Sequence, residues 1–242
     1  MMLLLDIGNS RLKWAIWDGH ALADSTALEH GGDPAAAIAA LPEMTVNAVW
    51  IAQVMGAPHE PKIASAIQGR FGLAPQFARS RDEYLGLKCA YADPSRLGVD
   101  RWLMLLAAWR EQRGACCVVS AGTALTFDAV DVQGQHMGGF IAPGLAAMLK
   151  ATLGSTRFAT FDLDAEYDAG LGDNTEACVR QGAFLACVGA IDRGLSTTGV
   201  SGPRFICGGD AATLLPQLDG AWQHRRDLVL QGLLVLARQS AG

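Results

Sequence analysis

A chain of 242 residues, half of them apolar and 28 of them glycine, is long enough for one or two domains with a buried core. Its formal net charge of −5 argues against nucleic acid as a partner, and no apolar run reaches membrane-spanning length. The six cysteines, at 89, 116, 117, 178, 187 and 207, form no C-x-x-C pair and the histidines are scattered; with MMLLLD too short for a signal peptide, this excludes a zinc site or disulfide framework and points to reduced core thiols in a cytoplasmic protein.

In chain order, Leu3-Leu4-Leu5-Asp6-Ile7-Gly8-Asn9-Ser10 reads as a strand running into a tight glycine loop. Leu12-Lys13-Trp14-Ala15-Ile16-Trp17 returns as a strand to a turn at Asp18-Gly19, so a hairpin or meander is expected from Met1 to about Ala27. Ala-rich Pro34–Leu41 predicts a helix and Val46–Gln53 a short strand. Pro61–Phe71 carries Ile63, Ala66, Ile67 and Phe71 at helical spacing, and Pro75–Ala78 reads as another strand. A polar, turn-rich stretch ends at Tyr91-Ala92-Asp93-Pro94. A helix from about Gly98 to Gln112 follows, its period set by Leu103, Leu106, Ala107 and Arg110.

The second half opens with strands expected at 116–120, 124–131 and 137–142, the last closing in Gly138-Gly139-Phe140-Ile141-Ala142-Pro143-Gly144. Helices are expected at 145–153, 174–195, 211–217 and 226–239, with a late strand at Phe205-Ile206-Cys207 before Gly208-Gly209-Asp210. Strands alternating with helices after each meander indicate α/β architecture. Aligning Asp6 with Ser120 also aligns Gly8 with Gly122 and Asn9 with Thr123. Two such loops predict a duplicated domain, residues 1–114 and 115–242, with a nucleotide in the cleft between the halves.

Glycine lets a backbone approach phosphate closely, and exposed N–H groups and small polar side chains donate to its oxygens. Asp6 cannot bind phosphate, because like charges repel, but it can bind magnesium or its water shell. Both loops return into a strand. That excludes a Walker loop or dinucleotide fingerprint, which need strand–loop–helix. Gly98-Val99-Asp100-Arg101 reads either as a helix start with a first-turn acid or as chemistry. In the second reading Asp100 takes a proton from a substrate hydroxyl and Arg101 grips a substrate carboxylate. Asn174-Thr175-Glu176-Ala177 reads as a capping box or as an anion-binding helix end. Gly208-Gly209 reads as a turn or as bare backbone for an adenine ring.

The ordered set DIGNS at 6–10, Tyr91, GVDR at 98–101, AGTA at 121–124, GGFIAPG at 138–144, NTEA at 174–177 and GGD at 208–210 resembles the type III pantothenate kinases. The resemblance implies two related ribonuclease-H-like, actin-like ATPase domains and a homodimer whose interface helps build the pantothenate site. It implies that Asp6, Ile7, Gly8, Asn9, Ser10, Arg11, Leu12 and Lys13 surround the ATP phosphates, with Asp6 facing Mg2+ directly or through water. Thr123 would bind phosphate in the second loop. Tyr91, Gly98, Val99, Asp100, Arg101 and Thr175 would line the pantothenate site, with Asp100 as general base. The product would be 4′-phosphopantothenate, the first committed intermediate toward coenzyme A. The family usually has aspartate where this chain has Ser120, and that aspartate helps hold K+ or NH4+, so the resemblance implies a weakened cation site here. Two other readings stay open: a non-catalytic regulatory protein, such as a transcription accessory factor, on the same scaffold, and a kinase of another small hydroxy acid.

Overall fold

The computed structural model describes residues 1–155, 167 and 170–240. They form two compact units, one of Met1–Glu111 together with the segment from Asp227 on, the other of Gln112–Arg226. The first unit contains β1 (Met2–Ile7), β2 (Arg11–Trp17), β3 (Thr26–Glu29), α1 (Pro34–Ala39), β4 (Ala48–Gln53), α2 (Glu60–Phe71), β5 (Gln76–Phe77), β6 (Glu83–Tyr84), β7 (Leu87–Lys88) and α3 (Val99–Gln112). The second contains β8 (Cys116–Ala121), β9 (Ala124–Val130), β10 (His136–Pro143), α4 (Leu145–Ser155), α5 (Thr175–Thr198), β11 (Arg204–Cys207), α6 (Ala211–Leu214) and β12 (Trp222–His224). The last helix, α7 (Leu228–Ser240), belongs to the first unit.

The duplication read from the two loops is a duplication of whole sheets. The first has strand order β3-β2-β1-β4-β5 and the second β10-β9-β8-β11-β12. In each, the opening three strands form an antiparallel meander, and the remaining two join parallel to the central strand. A parallel neighbour requires a crossover, which α1 and α2 supply in the first unit and α4, α5 and α6 in the second. Asp6 and Ser120 occupy equivalent places, the fifth residue of β1 and of β8.

Alternation along β1 sends Leu3, Leu5 and Ile7 into a core with Leu12, Val49, Ile51, Ile38 of α1 and Ile63 and Ile67 of α2. Leu4 points to the other face and is equally buried, because α7 packs on β1 and β4. A sheet covered on both faces requires this near-continuous apolar run. In the second unit Cys117, Val119, Leu125, Phe127 and Ile206 meet Phe184, Cys187 and Ile191 of α5. Phe127 stacks on Phe140 at 5.4 Å. Burial pushes the thiols of Cys116 and Cys117 up to about 12 and that of Cys187 up to about 11, so these cysteines are inert packing groups. Cys178 is exposed, unlike a core thiol.

Further details differ from the sequence reading. The second domain was expected to run to residue 242, but α7 buries Leu228, Leu230, Leu233, Leu236 and Ala237 in the first unit. A Cβ at Gly232 would stand 1.9 Å from the Leu103 carbonyl oxygen, so only glycine lets α7 lie backbone-to-backbone on α3. The period expected for α3 is replaced by burial of every residue from Arg101 to Trp109, while Arg110 is exposed; a helix enclosed on all sides loses its polar stripe. The polar stretch before Tyr91 holds the β6–β7 hairpin, whose two-residue turn puts Leu85 at φ 52° and Gly86 at φ 83°. That geometry normally selects Asn or Gly at both positions. Here Trp109 Nε1–H donates to the Leu85 carbonyl at 3.1 Å.

Candidate functional site

The first loop is closed by Gly8 N–H donating to the Arg11 carbonyl at 3.0 Å, leaving Asn9 and Ser10 exposed. Ile7 and Leu12 are fully buried in the core, so only their backbone can meet a nucleotide. Arg11 is exposed and pairs with Glu29 at 3.2 Å, a surface contact of little energetic weight. Asp6 and Lys13 stand directly opposite each other on β1 and β2, and therefore share a sheet face. Burial pushes the Asp6 carboxyl up to about 7; the charges of Asp100 and Asp227 add to the rise and Lys13 opposes it. The charges of Asp100 and Asp227 thus reach Asp6 electrostatically, and their negative potential would favour a cation bound beside it.

Asp100 sits in the first turn of α3, where helix N–H groups favour negative charge. Its Oδ1 lies 2.6 Å from where a Cβ of Gly98 would be. The absent side chain at Gly98 is the space into which the Asp100 carboxylate folds. Trp102 N–H donates to the Gly98 carbonyl at 3.0 Å, starting the helix at Val99. Arg101 is buried; its Nη1 donates to the Tyr91 hydroxyl at 3.1 Å, and the guanidinium lies 6.0 Å from the Tyr91 ring centre. Tyr91 is thus brought to the GVDR segment through Arg101, while Asp100 folds against Gly98.

Asp227 belongs to this electrostatic group and has no motif to announce it. It precedes α7, and its Oδ1 accepts from Ser25 Oγ at 2.5 Å. Only the return of α7 to the first unit brings it near Asp6. Among the described residues no three His, Cys, Asp or Glu side chains converge on one metal position. Mg2+ bound with a nucleotide takes most of its ligands from phosphate and water and needs only one or two carboxylates, which Asp6 fits.

In the second unit, Ser120 is half-buried, with Thr126 and Cys207 as its neighbours across β9 and β11. Thr126 Oγ1 is buried without a hydrogen-bond partner. Asp128, two residues on, is held by His136 Nε2 at 2.9 Å. The position of Ser120 on β8 thus carries a neutral hydroxyl. The AGT loop is pressed by two glycines. A Cβ at Gly144 would stand 1.9 Å from the Gly122 carbonyl oxygen, and one at Gly208, whose φ is +98°, 2.0 Å from that of Ala121. Gly208 is therefore required by the neighbouring loop itself, apart from any adenine ring. Thr123 lies in this loop, and its carbonyl accepts from Gly144 N–H at 3.2 Å. Thr175 is exposed at the first turn of α5, where Asn174 Oδ1 caps the helix by accepting from Ala177 N–H at 2.9 Å.

Residues 2–196 match the family model of type III pantothenate kinases. A type III pantothenate kinase of Nitrosococcus oceani is 37% identical over 253 aligned positions, covering all of this chain and 95% of the relative. Among solved structures, a Campylobacter jejuni protein described as a Baf family transcriptional activator superposes with a TM-score of 0.63 at 21% identity, covering 99% of this chain and 98% of the other. An inorganic polyphosphate/ATP-glucomannokinase from Arthrobacter gives 0.50 at 15%, covering 99% and 98%. The structural likenesses speak for the fold shared by actin-like sugar kinases and ATPases.

Proposed function

The chain belongs to the type III pantothenate kinases, and from that membership we propose how its residues carry out the ATP-dependent phosphorylation of pantothenate in coenzyme A biosynthesis. The reading rests on one observation: Asp100 lies within electrostatic reach of Asp6, with the buried Arg101 held beside it by Tyr91. Phosphoryl transfer needs positioning and charge stabilisation more than covalent chemistry. Asp100 accepts the proton of the primary hydroxyl as that oxygen attacks the γ-phosphorus of ATP in line, and ADP leaves without a covalent enzyme intermediate. Arg101 and Tyr91, with Gly98 and Val99, hold pantothenate. Asn9 and Ser10 donate to the phosphates from the first loop, with Lys13 adding positive charge. Asp6 would hold Mg2+ directly or through its water shell, and the ion would supply neutralisation of the phosphate charge. Purified protein incubated with ATP and pantothenate tests the activity; failure to form 4′-phosphopantothenate while another small hydroxy acid is phosphorylated would move the chain to that substrate. The regulatory alternative has only a fold likeness at 21% identity behind it.

Arg101→Lys is expected to raise KM for pantothenate while leaving KM for ATP near its original value. Lysine keeps the charge but loses the planar fork and the bond to Tyr91. Steady-state kinetics with each substrate varied separately decide it, and the opposite pattern would put Arg101 on the nucleotide.

Ser120 leads to weak or absent activation by K+ and NH4+. One carboxylate is a large share of the attraction holding a monovalent ion, and here it is replaced by hydroxyls. Ser120→Asp is expected to strengthen activation, read from activity against potassium chloride with choline chloride holding ionic strength constant. Strong saturable activation of the unaltered protein by potassium would show that other groups carry the ion.

We also assign the chain a homodimeric state, through the second unit. The edge strand β10 exposes Met137 and Ile141, and α5 exposes Leu185, at 47%, 64% and 43%. A solvated sheet edge with apolar side chains favours association. Light scattering is expected to give twice the chain mass, and a fully active monomer would refute it. No described helix is long and apolar enough to cross a membrane; a cytoplasmic location, with no nucleic-acid partner, accompanies a water-borne substrate pair and a mildly acidic surface.

A further inference from the structure

His30, at the end of β3, clasps the first loop. It is buried at 7% exposure in an otherwise exposed turn. Its Nδ1 lies 3.1 Å from Gly32 N. That group can only donate, so Nδ1 accepts and carries no proton. The ring proton then sits on Nε2, 2.9 Å from the Gly8 carbonyl oxygen, which can only accept. Both contacts agree on one neutral tautomer. The backbone adds a third tie, His30 N–H donating to the Ser10 carbonyl at 3.2 Å. The turn that aims the ring depends on Gly31 and Gly32, whose φ values of 54° and 90° are closed to most side chains.

We propose that His30 is a positioning residue for nucleotide binding, orienting the Gly8–Asn9 peptide so that the Asn9 N–H faces the nucleotide phosphates. The physical step is short. A trans peptide is planar, with its C=O and N–H on opposite edges. Drawing the Gly8 carbonyl toward the imidazole turns the Asn9 N–H the other way, toward the exposed side of the loop. The Gly8 N–H is already spent on Arg11, so the Gly8 carbonyl is the group whose direction His30 decides. Without the clasp, a glycine loop can flip this peptide at little cost. A flipped peptide would present a carbonyl oxygen, which repels phosphate.

The inference rests on the placement of ATP phosphates at the first loop. His30→Leu removes the donor at similar bulk. His30→Gln keeps an amide N–H at about the reach of Nε2. The wild type and both variants are compared by steady-state kinetics and by calorimetric binding of the magnesium complex of β,γ-imido ATP, with circular dichroism confirming the fold. His30→Leu is expected to raise KM for ATP and the dissociation constant of the analogue about tenfold, the weight of one lost phosphate hydrogen bond. KM for pantothenate should not move, and His30→Gln should recover most of the loss. Wild-type analogue affinity in folded His30→Leu, an equal loss for both substrates, or no recovery in His30→Gln would each overturn the proposal. If His30→Leu does not fold, His30→Ala, which also removes the donor, takes its place in the same comparison: a tenfold loss that His30→Gln recovers supports the clasp, and wild-type affinity in folded His30→Ala overturns it. If the wild type binds the analogue but does not phosphorylate pantothenate, the substrate assignment fails and the calorimetric comparison still tests His30.

Discussion

Asp100→Asn is expected to lower kcat by about 10²–10⁴-fold, the usual weight of a general base, with the thermal midpoint nearly unchanged. Asparagine matches aspartate in size and can occupy the space beside Gly98. It cannot take the hydroxyl proton. The Gly98 carbonyl still receives Trp102 N–H, so the start of α3 does not depend on the carboxylate. The loss should fall on kcat more than on either KM, because the interaction removed is made in the transition state. Near-normal kcat in the folded variant would remove Asp100 from the role of base.

Asp6→Asn is expected to separate stability from activity. The folded carboxyl is raised to about 7 from an ordinary 3.8. A raised carboxyl contributes stability that is full below the unfolded value and is lost as pH rises through the folded one. Above that window the ligand-free protein carries a partly desolvated negative charge repelled by those of Asp100 and Asp227. Asparagine removes that cost, so ligand-free Asp6→Asn should melt higher than the wild type near pH 8, with the advantage shrinking toward pH 5. Activity should nevertheless fall on the order of 10²-fold or more, since a group aimed at transition-state charge is lost. MgATP should stabilise the wild type more than the variant. A variant less stable than the wild type near pH 8, or one protected equally by MgATP, would contradict this account of Asp6.

The two reactions of the chain to these substitutions differ because the residues are held differently. Asp100 is a first-turn helix residue whose surroundings are supplied within four positions, Gly98 to Arg101. Asp6 takes its electrostatic character from α3 and from the far end of the chain. The first environment was readable as a motif. The second was not, since Asp227 is an ordinary acid before an apolar helix until that helix is placed.

Local chemistry explains what was legible. A loop that approaches phosphate needs glycine, short strands on either side and small polar residues, all within about eight positions, and the chain repeats that pattern. Asp6 with Ser120 and Gly8 with Gly122 therefore revealed the duplication, and the two sheets share one strand order. The β6–β7 hairpin stayed hidden because Leu85 occupies a left-handed turn position that propensity assigns to Asn or Gly. β12 stayed hidden because Trp222–His224 is too short to show alternation.

By itself the sequence determined the family, the α/β class, the paired loops and the GVDR segment around Asp100, since each is written in residues close together or in an ordered set of motifs. Tertiary structure alone decided that α7 returns to the first unit, that Asp227 stands near Asp6, that Gly208 and Gly144 press on the AGT loop, and that His30 holds Gly8. The physical reason is common to all four. An apolar helix face, a glycine or a histidine specifies only that it must be covered, approached or hydrogen-bonded. Which partner meets that need depends on close packing between segments far apart in the chain, and no local pattern encodes it.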